Sequence, residues 1–154
     1  MTTHLVWFRN DLRITDNRAL HAACEDPQAR VIAVFVATPE QWKRHEMAPR
    51  QAMFIYQHLQ ALQHALAERG IGLHYHQCDD FADSVTWLKD FCKTEKVDAL
   101  FYNKQYEFNE RQRDAALEYA VSESVICHAF DDSLLLPPGS VMTGNNEMYK
   151  VYRP

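Results

Sequence analysis

The densest potential chemistry lies near the start of the chain, in Trp7-Phe8-Arg9-Asn10-Asp11-Leu12-Arg13-Ile14-Thr15-Asp16-Asn17. Two arginines and two aspartates crowd this stretch, directly after an apolar run. On residue types alone, pairing of Arg9 or Arg13 with Asp11 or Asp16 orders a loop and has no catalytic purpose. A second concentration is Asn109-Glu110, followed by Arg111 and Arg113. By type these are solvated residues on a charged helix. His45 sits in Pro39-Glu40-Gln41-Trp42-Lys43-Arg44-His45-Glu46-Met47, which reads as a loop after an apolar strand. His74 and His76 alternate and so share one face of a strand, but no third metal ligand accompanies them and no metal site is expected. Glu107 and Glu110 are carboxylates at i, i+3, yet no Ser-His-Asp grouping and no G-x-S-x-G elbow marks a hydrolase.

These residues need elements to position them, and the sequence supplies alternating ones. His4-Leu5-Val6-Trp7-Phe8 is β-favouring, and Asp16 is placed to cap a helix running through Leu20 and Ala23. Arg30 to Val36 is almost wholly apolar, as a strand buried on both faces is. Pro49 opens a long helix whose core stripe is Ile55, Leu59, Leu62 and Leu66, and Gly70 suits its C-terminal end. Ile71–Gln77, Val97–Asn103 and Ser124–Phe130 read as three further strands. Phe81–Phe91, with Val85, Leu88 and Phe91 on one side, and Tyr106–Val121 read as the intervening helices. Such alternation predicts an α/β fold: a doubly wound, Rossmann-like parallel sheet of about five strands with helices on both faces. After residue 133 the pattern stops. Leu134-Leu135-Leu136-Pro137-Pro138-Gly139 ends periodic structure, and 134–154, through Val151–Pro154, is expected to be the start of an interdomain linker. Residues 1–133 then form the domain.

Composition narrows the class. The chain has 154 residues, 47% hydrophobic and 24% charged, as a globular domain has. No run approaches the roughly 20 apolar residues that span a bilayer, and the N-terminus lacks a signal-peptide pattern, so a cytoplasmic location with no membrane partner is expected. Net charge is −5 with no basic cluster, which argues against a direct grip on nucleic acid by this segment. Cys24, Cys78, Cys92 and Cys127 form no C-x-x-C and read as free thiols. The four glycines, Gly70, Gly72, Gly139 and Gly144, form no G-x-G-x-x-G, and there is no Walker lysine loop. A dinucleotide held in the usual way, by glycines that let the pyrophosphate reach a helix N-terminus, is therefore excluded.

The order and position of W-F-R-x-D-L-R-x-x-D-N resemble the opening of the photolyase/cryptochrome family. Phe101-Tyr102-Asn103, Tyr106-Glu107-Phe108-Asn109-Glu110-Arg111, Phe130-Asp131-Asp132-Ser133, Pro137-Pro138-Gly139 and Met142-Thr143-Gly144 fit the same pattern. Within the family the chain is most similar to class I bacterial cyclobutane pyrimidine dimer photolyases, and only to their front part. The resemblance implies an N-terminal α/β antenna domain, joined in the whole protein to a helical domain that binds FAD and UV-damaged DNA. There, light-excited reduced flavin donates an electron to a pyrimidine dimer, whose cyclobutane ring splits. The α/β domain would hold an antenna, usually 5,10-methenyltetrahydrofolate, that passes excitation energy to the FAD; by itself this segment is not expected to be catalytic.

Carried over from folate-binding relatives, the cofactor-binding residues are His45, Asn109 and Glu110. The chemistry is apt: a pterin presents N3–H beside a 2-amino group, and one carboxylate accepts both. Phe35, Ala37 and Trp42 are candidate walls, Trp42 equally a hydrophobic cover for the long helix. Deazaflavin or FMN occupies the same region in other relatives. Two further readings stand beside this one: a cryptochrome-type blue-light photoreceptor, and a free-standing nucleotide- or flavin-binding module using the crevice at the sheet's switch point.

Overall fold

The computed structural model describes residues 1–150. Five strands, β1 (Thr3–Phe8), β2 (Arg30–Ala37), β3 (Leu73–Gln77), β4 (Ala99–Asn103) and β5 (Ile126–Phe130), form one sheet in the order β3-β2-β1-β4-β5. Every pairing is parallel. Between them run α1 (Arg18–Ala23), α2 (Pro39–Arg44), α3 (Pro49–Ala67), α4 (Phe81–Glu95) and α5 (Phe108–Val121). Two crossovers run from β1 out to β3 and two more carry the chain through β4 to β5, so the winding reverses between β1 and β4. This is the expected doubly wound α/β sheet.

The strands alternate as their period demands. Val6 and Phe8 join Leu20 of α1 and Leu59, Leu62 and Leu66 of α3 in one buried cluster. Leu5 and Trp7 join Leu88 of α4 and Leu117 of α5 in the other. All five residues of β4 are buried, which explains its unbroken apolar run. Among the described residues no helix is long and apolar enough to cross a membrane. His74 packs edge-on against Phe91, and His76 lies flat on Trp87 with ring centroids 4.1 Å apart.

Several sequence expectations need correction at element ends. Asn17, not Asp16, caps α1: its side chain accepts from the Leu20 N–H at 3.1 Å. Asp16 instead takes a left-handed turn, φ 49°, which a short polar side chain tolerates. Residues 39–44, expected as loop, form α2, because Pro39 starts the helix and Lys43 and Arg44 favour its C-terminal end. Ile71 belongs to the end of α3 rather than to a strand. Its N–H donates to the Leu66 carbonyl, and that of Gly70 (φ 73°) to Ala67, closing a Schellman motif. Residues 134–150 contain turns and no helix or strand, and Val151–Pro154 lie outside the described residues.

The opening motif folds into a knot over the ends of β1 and β4. Asn103 donates to Asp11 Oδ2 at 2.7 Å and to Asn17 Oδ1 at 2.9 Å, while its side-chain oxygen Oδ1 accepts from the Ala19 N–H. Asn17 donates to the Asp11 carboxylate and to the Arg13 carbonyl, and Asp11 Oδ1 accepts the Arg9 N–H. The arginines do not pair with Asp11 or Asp16 as expected. Arg9 pairs with Asp114 at 3.0 Å and Arg13 with Asp132 at 2.6 Å, partners distant in sequence that folding brings to the same strand ends.

Three stability predictions follow from this architecture. Asn103→Ala strips partners from Asp11, Asn17 and the Ala19 N–H together and is expected to cost about 3 kcal/mol in denaturant unfolding. Gly70→Ala meets no atom within 4 Å, so its loss of about 1 kcal/mol is the backbone cost of positive φ alone. Burial, with Cys127 nearby, pushes the Cys92 thiol from 9.0 up to about 12. The unfolded chain releases that proton at the lower pH and the folded chain keeps it. The stability this contributes is complete below pH 9.0 and is lost as pH climbs toward about 12. Denaturant midpoints should fall across that window, and less steeply in Cys92→Ala.

Candidate functional site

The C-terminal strand ends carry the site, where the winding reverses. At the base lie two buried guanidinium groups sharing one carboxylate. Arg9 Nη1 donates to Asp114 Oδ1 at 3.0 Å and its Nη2 donates to the Asn103 carbonyl. Arg113 Nη2 donates to the same Asp114 oxygen at 2.8 Å and to Gln105 Oε1 at 2.9 Å. Aromatic rings complete the packing. The Arg9 guanidinium lies 4.5 Å from the ring centroids of both Trp7 and Tyr102. That of Arg113 lies 4.6 Å from Trp7 and 4.7 Å from Phe81. Burial pulls the Arg9 guanidinium below its ordinary value, Arg113 adds to that pull, and Asp114 opposes it. Burial and a hydrogen bond to Glu118 hold the Tyr102 phenol protonated.

Above this base opens a cleft of about 300 Å³. Phe35 from β2, Trp42 from α2 and Phe81 from α4 give it aromatic walls, and Met47 and Ile55 add apolar surface. Its polar groups include His45, Gln41, Gln51, Gln105, Glu46, Glu110 and Arg113, with Arg9, Asn10 and Thr38 also in its lining. His45 stands at the C-terminal end of α2, with its Nε2 2.9 Å from Gln41 Nε2. Glu110 projects from the first turn of α5. Two of the three residues expected to bind a cofactor, His45 and Glu110, thus face one cleft from opposite sides of the switch point. Asn109, half-exposed on the same turn as Glu110, is not part of its lining. Phe35 and Trp42 are walls as expected, and Trp42 also packs on the core beside Ile55. Ala37 is not a wall, because it is sealed in that core at 2% exposure.

The sequence reading missed Gln105, Gln51, Arg113 and Phe81. Gln51 accepts the Ala48 N–H at 3.0 Å, standing in for a side-chain cap that alanine cannot provide. Gln105 occupies the connection after β4, the position next to the switch point that α/β sheets use for ligands, and that placement was its only legible signal. A second cleft, of about 250 Å³, adjoins the first through Arg9, Asn10 and Gln105. There Arg13 is engaged by Asp132, and Lys104 by Asp131. Lys104 foremost, assisted by Tyr106, holds the Asp131 carboxyl below the usual carboxylate range. Among the described residues no group of His, Cys, Asp and Glu is arranged to hold a metal ion.

The chain is 60% identical over 154 residues to the deoxyribodipyrimidine photo-lyase of Salmonella typhimurium, covering 100% of this chain and 32% of that protein. It is 57% identical to that of Escherichia coli, with the same coverage. It therefore spans about a third of the length of these curated relatives. Among solved structures, a class III photolyase from Agrobacterium tumefaciens superposes with a TM-score of 0.76 at 26% identity, over 99% of this chain and 30% of that one. An archaeal photolyase from Sulfolobus tokodaii, described with two FAD molecules, gives 0.72 at 26% identity, over 88% and 31%. The model of the DNA photolyase family matches residues 4–154, and the chain belongs to that family.

Proposed function

We propose that these residues form the light-harvesting domain of a deoxyribodipyrimidine photo-lyase, a light-driven enzyme that splits cyclobutane pyrimidine dimers in UV-damaged DNA, and that the cleft holds 5,10-methenyltetrahydrofolate. The observation that carries the reading is the convergence of His45 and Glu110 on one aromatic-walled cleft at the strand ends. The residues suit a pterin. Phe35, Trp42 and Phe81 offer faces for a flat bicyclic ring, and the Glu110 carboxylate accepts its adjacent N–H groups. His45 closes the opposite side, and Asn109 is assigned a peripheral contact on the outer edge of the same helical turn. When bound, the folate supplies near-ultraviolet absorption and passes excitation energy to a flavin.

The residues do not suit FAD in the dinucleotide manner. The turn after β1 carries no glycine, and the N–H groups of Arg9 and Arg13 are taken up within it, by the Asp11 carboxylate and the Asp11 backbone carbonyl. We therefore place the flavin, the redox chemistry and the grip on DNA in the other two thirds of the length that relatives have. A net charge of −5 supports this division, since a DNA-gripping surface is ordinarily basic. A cytoplasmic location follows from the same assignment to DNA repair.

The test is an absorption titration of the purified protein with methenyltetrahydrofolate. Saturable binding is expected, weakened about tenfold or more by Glu110→Ala through loss of a charge-assisted hydrogen-bond pair. His45→Ala is expected to weaken it less, and Asn109→Ala least. Equal binding by wild type and Glu110→Ala would refute the placement of the pterin.

A further inference from the structure

We infer that Gln105 is the residue that makes the cleft select a 4-oxo over a 4-amino pteridine, an inference that rests on the pterin reading of the cleft. Arg113 has only N–H donors, so the atom of Gln105 that meets it must be the carbonyl oxygen. That contact, Arg113 Nη2 to Gln105 Oε1 at 2.9 Å, fixes which way the amide faces. Arg113 cannot turn away to release it, because it is 8% exposed, held by Asp114 and packed between Trp7 and Phe81. With its oxygen held by Arg113, Gln105 has its NH₂ group to donate to a ligand in the cleft it lines.

Glu110 lines the same cleft three residues before Arg113 on α5, so the carboxylate and the arginine that orients Gln105 are neighbours on one helix face. The wall therefore presents two acceptors, the Glu110 oxygens, and beside them a donor, the Gln105 amide. A 2-amino-4-oxo pteridine carries the complement along one edge: the 2-amino group and N3–H donate, and the 4-oxo oxygen accepts. Flavins and deazaflavins carry a different edge, with one N–H flanked by two carbonyl oxygens. Set against this wall, their 4-oxo group would meet Gln105 as a pterin's does, and it is the 2-oxo group that would face the Glu110 carboxylate with no proton between them, so Glu110 rejects these rings while Gln105 reads position 4. A buried polar group left unpaired in this way is a strong source of discrimination.

Gln105→Glu tests the assignment. The new carboxylate still accepts from Arg113, so the local structure is retained, but nothing remains to donate to a 4-oxo group. Folic acid, with a 4-oxo group, and aminopterin, with a 4-amino group, are the probes, and binding of each is measured by fluorescence titration. The ratio of folic acid to aminopterin affinity is expected to fall at least tenfold in Gln105→Glu, since the glutamate accepts from a 4-amino group. Gln105→Leu, which offers neither donor nor acceptor, should lose folic acid affinity without the relative gain for aminopterin. Thermal melting of the unliganded variants separates misfolding from altered selection. Binding of both probes with an unchanged ratio in Gln105→Glu overturns the role of Gln105 and leaves the pterin reading intact. Failure of the wild type to bind either probe, with binding of FMN instead, overturns both.

Discussion

The knot of Asn103, Asp11 and Asn17 is the constraint on which the strand-end geometry depends. Two central strands finish side by side, and the chain must leave each in a different direction without stranding buried polar groups. Glycine-rich turns meet this need in dinucleotide-binding sheets and leave free N–H groups for a phosphate. Here side chains meet it instead. The Asp11 carboxylate gathers one backbone and two amide donors, and the Asn103 amide serves a carboxylate, a second amide and a helix N–H at once. The knot also caps α1 through Asn17. The knot's side-chain groups are consequently engaged with one another, and both clefts open along its flanks.

Beneath the cleft, Arg9 and Arg113 share the single carboxylate of Asp114. Burying two guanidinium groups against one acid is unfavourable unless other groups compensate. The compensation is visible: carbonyl oxygens from Asn103 and Gln105, and the faces of Trp7, Tyr102 and Phe81. Arg9 Nε alone finds no acceptor among the described residues. The arrangement ties β1, β4, α4 and α5 together at the site's floor. It also gives orientation to Gln105, whose amide would otherwise turn freely. The ion cluster and the cleft wall are thus one object, with the buried side holding the exposed side in place.

The sequence by itself determined the class of fold, because apolar runs of strand length alternate with helical stripes and a parallel sheet buried on both faces is the only economical way to cover them. It determined the start of α3 at Pro49, since proline is preorganised for a first turn, and the role of Gly70, since a left-handed helix end favours glycine. Through the resemblance it also marked His45 and Glu110. Element ends were less legible. Ile71 and Val97 look like strand residues by type, but their N–H groups close the preceding helices, and type carries no record of hydrogen-bond direction.

Tertiary structure alone decided the partners. Arg9 and Arg13 had aspartates two and three residues away in sequence, yet pair with Asp114 and Asp132, because parallel winding returns every strand end to the same edge of the sheet. It decided that Glu110 lines the cleft and Asn109 does not, because neighbouring residues on a helix diverge by about 100°. It brought in Gln105, whose place in the cleft wall is held by a buried arginine eight residues away in sequence but 2.9 Å away in space. Local pattern reports what each residue can become. Which charges meet, and which way an amide faces, are set by long-range packing that pattern does not encode.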